Sequence, residues 1–414
     1  MDSYLRDTCI LCSSKKLQVA LPLTPTPIAD GYSLKYQSNY NCPIFSLTLM
    51  LCGDCGNVQL SEIVSPKKLF SEYTYKTSFS VGLTDHFKNY AQSMVERFNL
   101  KSSDKVLDIG SNNGALLLAF KQHNLNILGI DPAEQIALEA TKAGLPTIPD
   151  FFNSSSAAEI KKKHGQFKLI TANNVFAHSE FLQDMGRAIS DLLCSDGVFV
   201  FEVNYLADII SQSLWDTVYH EHLCYHSIKP LKHFFDKCGL ELFDVNRIPT
   251  KGGSLRCFVQ HRNGPRQICD VIDIMIKSEA DEKLHEISTY NEYEKQILEN
   301  KLTVKNAIEE RISASKKTIY GFGASATSTT LMYHYDLHQY FKGILDDNVS
   351  RHGLYTPGIQ IPISPMEPLY DNASDISVVL LSWRFLEPIK RRHAEFFTKG
   401  GEFIVPLPKC SILN

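Results

Sequence analysis

Between residues 85 and 250, short apolar runs rich in β-branched residues (KVLDIG, NILGID, FKLITAN, GVFVFEV, ELFDVNRI) alternate with helical stretches. That alternation predicts a parallel sheet covered by helices. From about 265 to 316 the pattern becomes one long polar–apolar helical region, read as two helices that bridge domains. Beyond it, TIYGFGAS, FKGILDD, SVVLLSW and EFIVPLP predict strands of a second, smaller α/β sheet. Ahead of it all, residues 1–70 combine proline-rich LPLTPTPIAD with short strand-like runs such as FSLTLMLC, the pattern of a small β-rich module. The predicted class is α/β, in parts spanning 1–70, 71–262 and 263–414.

Composition narrows the classes. With 43% apolar and 21% charged residues the chain is globular, and 414 residues suit two or three domains. A net charge of −4 gives no general attraction to nucleic acid, and KKLF, IKKKH and KRRH are short enough to be solvated helix faces. MDSYLRDTCILC lacks the build of a signal peptide, and no apolar run approaches a membrane span. Eleven cysteines, an odd number and mostly isolated, fit a reducing cytoplasm rather than a disulfide framework. A cytoplasmic monomer without membrane or nucleic-acid partners is expected.

Four of those cysteines form two CxxC pairs, Cys9/Cys12 and Cys52/Cys55. Thiolates at that spacing occupy two corners of a tetrahedron, so two pairs complete a closed, structural zinc site for a module too small to hold itself. In KVLDIGSNNGALLLAF, Asp108 ends a strand, Gly110 lets the backbone turn and Gly114 lets the next helix approach a ligand, with Asn112 between them. The spacing is neither the dinucleotide GxGxxG nor a P-loop. About twenty residues on, ILGID ends in Asp131, placed for a ribose diol at the second strand's tip. In PDFF, Asp150 can meet an adenine amino group and Phe151 or Phe152 can cover its ring. On DIGSNNG, GID and DFF in order, this part resembles class I S-adenosylmethionine (SAM) methyltransferases; an NAD-binding fold is the rival.

YHEHLCYHS (219–227) follows the fifth strand. As a metal site it lacks HExxH spacing, although His222 and His226 stand four apart. As structure it is a strand rich in polar rings. As an acid–base site it gathers an imidazole, a carboxylate and a phenol. The turn after the fourth strand reads ANNVFAHS, with Asn173, Asn174 and His178, and lacks the NPPY-like sequence of amino and base methyltransferases.

WDTVYHEHLCYHS, the CxxC pairs, VLDIGSNNG, AHS and GFGASA together resemble the sugar nucleotide C-methyltransferases of deoxysugar biosynthesis, over nearly the whole chain. The resemblance implies a zinc-binding N-terminal domain, a SAM-binding middle domain and a Rossmann-like C-terminal domain. It also implies methylation at C3 of a nucleotide-linked 4-keto-6-deoxy sugar. His222 then corresponds to the general base, flanked by Tyr219 and by Glu221, expected to fix the ring or raise its basicity. His178 lies near the sugar, and Asn174 with Tyr73, Tyr75, Ser78 and Ser80 faces the SAM and substrate cleft.

Two glycine turns remain. KGGSLR places Gly253 and Arg256 either in a plain turn or against the sugar nucleotide. TIYGFGASATSTTLM opens the second sheet, and its helix start, with Ser325, is expected to meet the substrate diphosphate. Relatives often carry lysine where this chain has Thr327. Other enzyme classes that remain are a sugar O- or N-methyltransferase; the non-enzymatic alternative is a zinc-ribbon nucleic-acid module.

Overall fold

The computed structural model describes residues 2–38, 41–70 and 83–414. Near the N-terminus β1 (Ser3–Leu5) pairs with β5 (Glu62–Val64), while β2 (Leu17–Thr26), β3 (Phe45–Cys52) and β4 (Val58–Leu60) form an antiparallel sheet. Alternation is clean in β3: Phe45, Leu47, Leu49 and Leu51 are buried, and the residues between them are half-buried.

The middle sheet contains β6 (Lys105–Ile109), β7 (Asn126–Ile130), β8 (Thr147–Ile148), β9 (Phe167–Asn173) and β10 (Leu193–Asn204), all parallel. The next strand, β11 (Cys224–Tyr225), leaves this sheet and pairs with β4. The chain then returns with β12 (Leu240–Ile248) and β13 (Ser254–His261), giving the order β12-β13-β10-β9-β6-β7-β8, with β13 antiparallel to both neighbours. Helices on its faces explain why its central strands read as apolar runs rather than alternations. Strand order reverses between β6 and β9, which opens a crevice at their carboxyl ends.

The C-terminal sheet repeats the plan with β14 (Thr318–Phe322), β15 (Ile344–Leu345), β16 (Ile363–Ser364), β17 (Ile376–Leu380), β18 (Glu402–Val405) and β19 (Ser411–Leu413). Its order is β16-β15-β14-β17-β18-β19, parallel except for β19, and it reverses between β14 and β17. The bridging region folds as two helices, Val271–Asp281 and Ile287–Ser313. The second buries Tyr290, Tyr293, Ile297, Val304 and Ile308 along one stripe. It joins both domains by hydrogen bonds: the Tyr293 hydroxyl donates to the Ile209 carbonyl (3.0 Å) and the Asn300 amide to that of Pro406 (2.8 Å). The largest apolar cluster runs through all three parts, and the middle and C-terminal domains carry further clusters of their own.

Both parallel sheets carry the same clamp at their switch points. In the middle sheet the buried Asp131 carboxylate accepts the backbone N–H of Asn112 (2.8 Å) and of Ala133 (2.9 Å). In the C-terminal sheet the buried Asp346 accepts those of Ala324 (2.6 Å) and Asn348 (2.7 Å). In each case an acid at the second strand's tip locks the glycine turn after the first.

Candidate active site and metal centre

After β10 the chain passes through the helix Leu206–Ser211 and a 3-10 turn, Trp215–Thr217, into the YHEHLCYHS segment. Asn174 follows β9 with a left-handed backbone (φ 56°), and its N–H donates to the Glu202 carbonyl (2.8 Å). The loop beyond carries His178 back across the crevice. There the Ala177 carbonyl accepts the N–H groups of Leu223 (2.8 Å) and Cys224 (3.2 Å), which brings the His178 and His222 rings to 5.1 Å between centroids. Asn174, His178, Asn204, His222 and Tyr225 line a small, partly open pocket.

The His222 tautomer follows from its partners. Its Nδ1 lies 2.8 Å from the Thr217 carbonyl oxygen, which can only accept, so Nδ1 carries the proton. Nε2 is therefore the basic nitrogen, 3.0 Å from the Tyr219 hydroxyl, whose ring lies against the imidazole at 4.1 Å. Desolvation pulls the His222 pKa down to about 4; the Thr217 carbonyl opposes the shift, while Lys251 and Arg384 add to it. His178 is held well below the ordinary histidine range by desolvation, His222 and Lys251. Both rings are neutral at pH 7.

Glu221 does not hold the ring, contrary to expectation: the Thr217 carbonyl takes that place. Glu221 is nearly buried, its pKa raised to about 7 by desolvation and by Asp30, against the pull of Lys251. Lys251 itself went unrecognised in the sequence. It is exposed at the tip of its turn, and desolvation by the surrounding protein lowers its pKa to about 8 against the attraction of Glu221 and Glu202. Farther along, the Tyr32 hydroxyl donates to the Ala324 carbonyl (2.7 Å), and the Arg351 guanidinium lies 5.6 Å from the Tyr32 ring. Polar groups thus lead from the imidazoles toward the C-terminal crevice.

Residues assigned to the cofactor gather around the β6/β9 crevice. Gly110 (φ 69°) and Gly114 (φ 77°) have left-handed backbones, and a Cβ on Gly110 would collide with Val175. Asp108 is buried, its pKa raised to about 7 by desolvation, and accepts the Thr171 hydroxyl (2.6 Å). Asp131 already accepts two amides, yet each oxygen keeps a second lone pair for a ribose hydroxyl. Asp150 and Phe151 are exposed on the rim beyond β8. Among the described residues the Ser111 hydroxyl is buried without a hydrogen-bond partner, and the Asn173 amide lies beside the buried Tyr90 hydroxyl. An unpaired polar group at a switch point fits a bound polar cofactor, so the donor set suits SAM.

Two residues assigned to the substrate are engaged within the fold. Arg256 is bound to the buried Glu202 (Nε–Oε1 2.7 Å), which also meets His86 (2.9 Å), and its guanidinium lies 4.2 Å over the Tyr90 ring. An arginine so fully engaged holds the fold. Gly253 (φ 129°) serves a close approach to Asp208, whose carboxylate a Cβ would strike. Ser325 caps the helix Ala326–Tyr335 through a reciprocal pair with Ser328. Tyr73, Tyr75, Ser78 and Ser80 lie outside the described residues. His220 and His226 are buried, and His226 packs on Phe176.

All eleven cysteines are free thiols. The sulfurs of Cys9, Cys12, Cys52 and Cys55 lie within 4.8 Å of one another, and the Cys9–Cys55 and Cys12–Cys52 contacts are each 3.6 Å. A tetrahedral zinc with bonds of ~2.3 Å requires sulfurs ~3.8 Å apart, so the four fit that ion. Among the described residues they are the cluster suited to a metal; His222 and His226 do not join one. The Asn57 amide donates to Cys9 (3.7 Å) and reaches Cys224 of β11 (3.9 Å), connecting the cluster to the His222 segment.

Three family models match in succession: "Putative zinc binding domain" over residues 9–70, "Methyltransferase domain" over 84–245 and "C-methyltransferase C-terminal domain" over 249–408. The C-methyltransferase NovU of Streptomyces niveus is 29% identical over 409 residues, covering 99% of this chain and 97% of its own. Among solved structures, magnesium protoporphyrin IX methyltransferase from Synechocystis with bound SAH is 13% identical, over 47% of this chain and 92% of its own, with a TM-score of 0.35. A SAM-dependent methyltransferase from Clostridium acetobutylicum is 16% identical, over 47% and 95%, also at 0.35.

Two predictions follow from this geometry. Metal analysis should find one zinc per chain, and chelation should lower Tm by about 10 °C or more and abolish turnover, because β4 then loses its hold on β11. Metal-free protein of unchanged Tm and activity would rule the site out. Arg256→Ala should cost about 3 kcal/mol in denaturant unfolding by stranding Glu202. Unchanged stability with a raised substrate KM would return Arg256 to the substrate.

Proposed function

We propose that this chain, a SAM-dependent methyltransferase similar to C-methyltransferases in each of its parts, methylates C3 of a nucleotide-linked 4-keto-6-deoxy sugar. The observation that carries the reading is the tautomer of His222. With Nδ1–H engaged by Thr217, Nε2 is the basic nitrogen of a ring that lines a pocket together with a second neutral imidazole and a phenol. A hydroxyl acceptor needs little beyond one base. A carbon acceptor must lose a proton and have the resulting charge stabilised, and the groups for both tasks are gathered here.

In this reading Nε2 takes the C3 proton, and the C–H electrons form an enolate with its charge on the C4 oxygen. When bound, SAM would supply the electrophilic methyl group for that carbon. Asp131 and Asn173 orient the donor, and Tyr219 holds Nε2 until substrate replaces its hydroxyl. His178, neutral, donates a hydrogen bond to the C4 oxygen, and Lys251 supplies positive charge beside it. The sugar's diphosphate extends past Tyr32 and Arg351 to the helix start at Ser325, where Thr327 contributes a hydroxyl. Residues 1–70 thus hold zinc, 71–262 SAM and the reacting carbon, and 263–414 the nucleotide.

The direct test is a panel of nucleotide 4-keto-6-deoxy sugars incubated with SAM, with products examined by NMR. A new methyl on C3 is expected; a methyl on oxygen or nitrogen, or activity on sugars lacking the ketone, would sink the reading. His222→Asn should retain SAM affinity while turnover falls ~10²–10⁴-fold. Near-normal turnover would remove His222 from the role.

Lys251 also sets a pH limit. Lys251 is protonated below about pH 8 and neutral above, so kcat/KM should fall as pH rises through that value. Lys251→Arg should move this alkaline limb upward, and Lys251→Met should lower kcat across the range. An alkaline limb unmoved by either change would exclude Lys251.

A further inference from the structure

The 3-10 turn Trp215–Thr217 lies beside the catalytic segment, but its partners come from the C-terminal domain. Asp216 is fully buried. Its Oδ2 accepts the Trp383 indole N–H (2.9 Å), and its Oδ1 accepts an N–H of Arg384 (3.1 Å). On one side of it the Trp215 ring packs against His334 and Tyr335, with centroids 5.1 and 4.9 Å away. On the other, the Thr330 hydroxyl donates to the Val218 carbonyl (2.7 Å). Thr330, His334 and Tyr335 belong to the helix that starts at the β14 glycine turn, and Trp383 and Arg384 follow β17. These are the two elements that border the C-terminal switch point.

Within the turn, Thr217 has a different task. Its hydroxyl donates to the Leu214 carbonyl (2.6 Å), and its own carbonyl accepts Nδ1–H of His222. The direction of that carbonyl is set by the peptides on either side, which the C-terminal domain anchors. A wholly buried carboxylate tolerates little displacement from its two donors, since losing one leaves its charge uncompensated.

We propose that Asp216 is a positioning residue for methyl transfer: held by Trp383 and Arg384, it fixes the Thr217 carbonyl and, through it, the tautomer and ring direction of His222. The inference rests on the reading of His222 as the base, but the tautomer can be measured without turnover. The C-terminal domain then does more than contact substrate, because it completes the geometry of a base carried by the middle domain.

The test compares zinc-loaded full-length wild type with Asp216→Asn and the milder Trp383→Phe. The His222 ring nitrogens are observed by ¹⁵N NMR and assigned through His222→Asn. Wild type should show Nδ1–H only. Asp216→Asn should show mixed tautomers with kcat reduced ~10–100-fold, the scale of a misplaced catalytic group. Trp383→Phe should move both readouts the same way by a smaller factor, and KM for SAM should stay within about twofold in each. Should Asp216→Asn fail to fold, Trp383→Phe decides alone. An unchanged tautomer and kcat would overturn the proposal. So would a loss of kcat accompanied by equal losses of SAM binding and zinc, which marks general unfolding. If His222→Asn stays active while Asp216→Asn still disturbs the tautomer, the base assignment fails and the positioning stands.

Discussion

The arrangement depends on one hydrogen bond, from Nδ1–H of His222 to the Thr217 carbonyl. An imidazole on an irregular segment has no helix or strand to aim it. A single carbonyl 2.8 Å away selects the tautomer and leaves the opposite nitrogen basic. Everything around the segment limits how that carbonyl can move. Backbone bonds to Ala177 hold the far side of the segment to the His178 loop, β11 pairs with β4 of the cysteine module, and the Asp216 contacts hold the near side to the C-terminal domain. A loop clamped from three domains serves as a rigid support.

This explains why the parts interdigitate instead of standing as separate units. The N-terminal sheet is completed by residues 224–225, from the middle of the chain. Three strands around a four-cysteine cluster bury little apolar surface, so the metal and the borrowed strand together stabilise what the sheet alone cannot. The two Rossmann-like sheets, by contrast, are each complete and share one device. Asp131 and Asp346 tie their glycine turns through the same pair of amides, one in the turn and one two residues beyond the acid. The repeat reflects a common need, since a turn that must present its backbone to a ligand cannot be held by side chains on its ligand-facing side.

Much of this was legible in the sequence because it rests on local pattern. Apolar runs between helical stretches marked both sheets, and CxxC spacing marked the four thiols, since both features repeat at fixed intervals. What was not legible depended on distance in the chain or on backbone atoms. Thr217 acts through a carbonyl, which every residue possesses. Arg256 looked available beside two glycines, but its partner Glu202 sits across a strand pair that sequence does not reveal. Lys251 stood in the same turn and was passed over, because a lysine at a hairpin tip is ordinarily a solvated charge. Glu221 adjoins His222 in sequence, yet neighbours in an irregular segment need not face each other, and the ring is held by the Thr217 carbonyl instead.

The low pKa of His222 bears on how so weak a base can act on carbon. In the free protein, desolvation and the charges of Lys251 and Arg384 all oppose the imidazolium. In the proposed reaction the proton reaches Nε2 while negative charge appears on the C4 oxygen, so imidazolium and enolate form together as a pair. The same positive field that penalises the first stabilises the second, and in a poorly solvated site their mutual attraction is stronger than in water. A more basic imidazole, solvated and free of those cations, would be protonated over more of the pH range and would face an enolate with nothing to hold it. The site therefore gives up basicity in the resting protein in exchange for stabilising the charge-separated state.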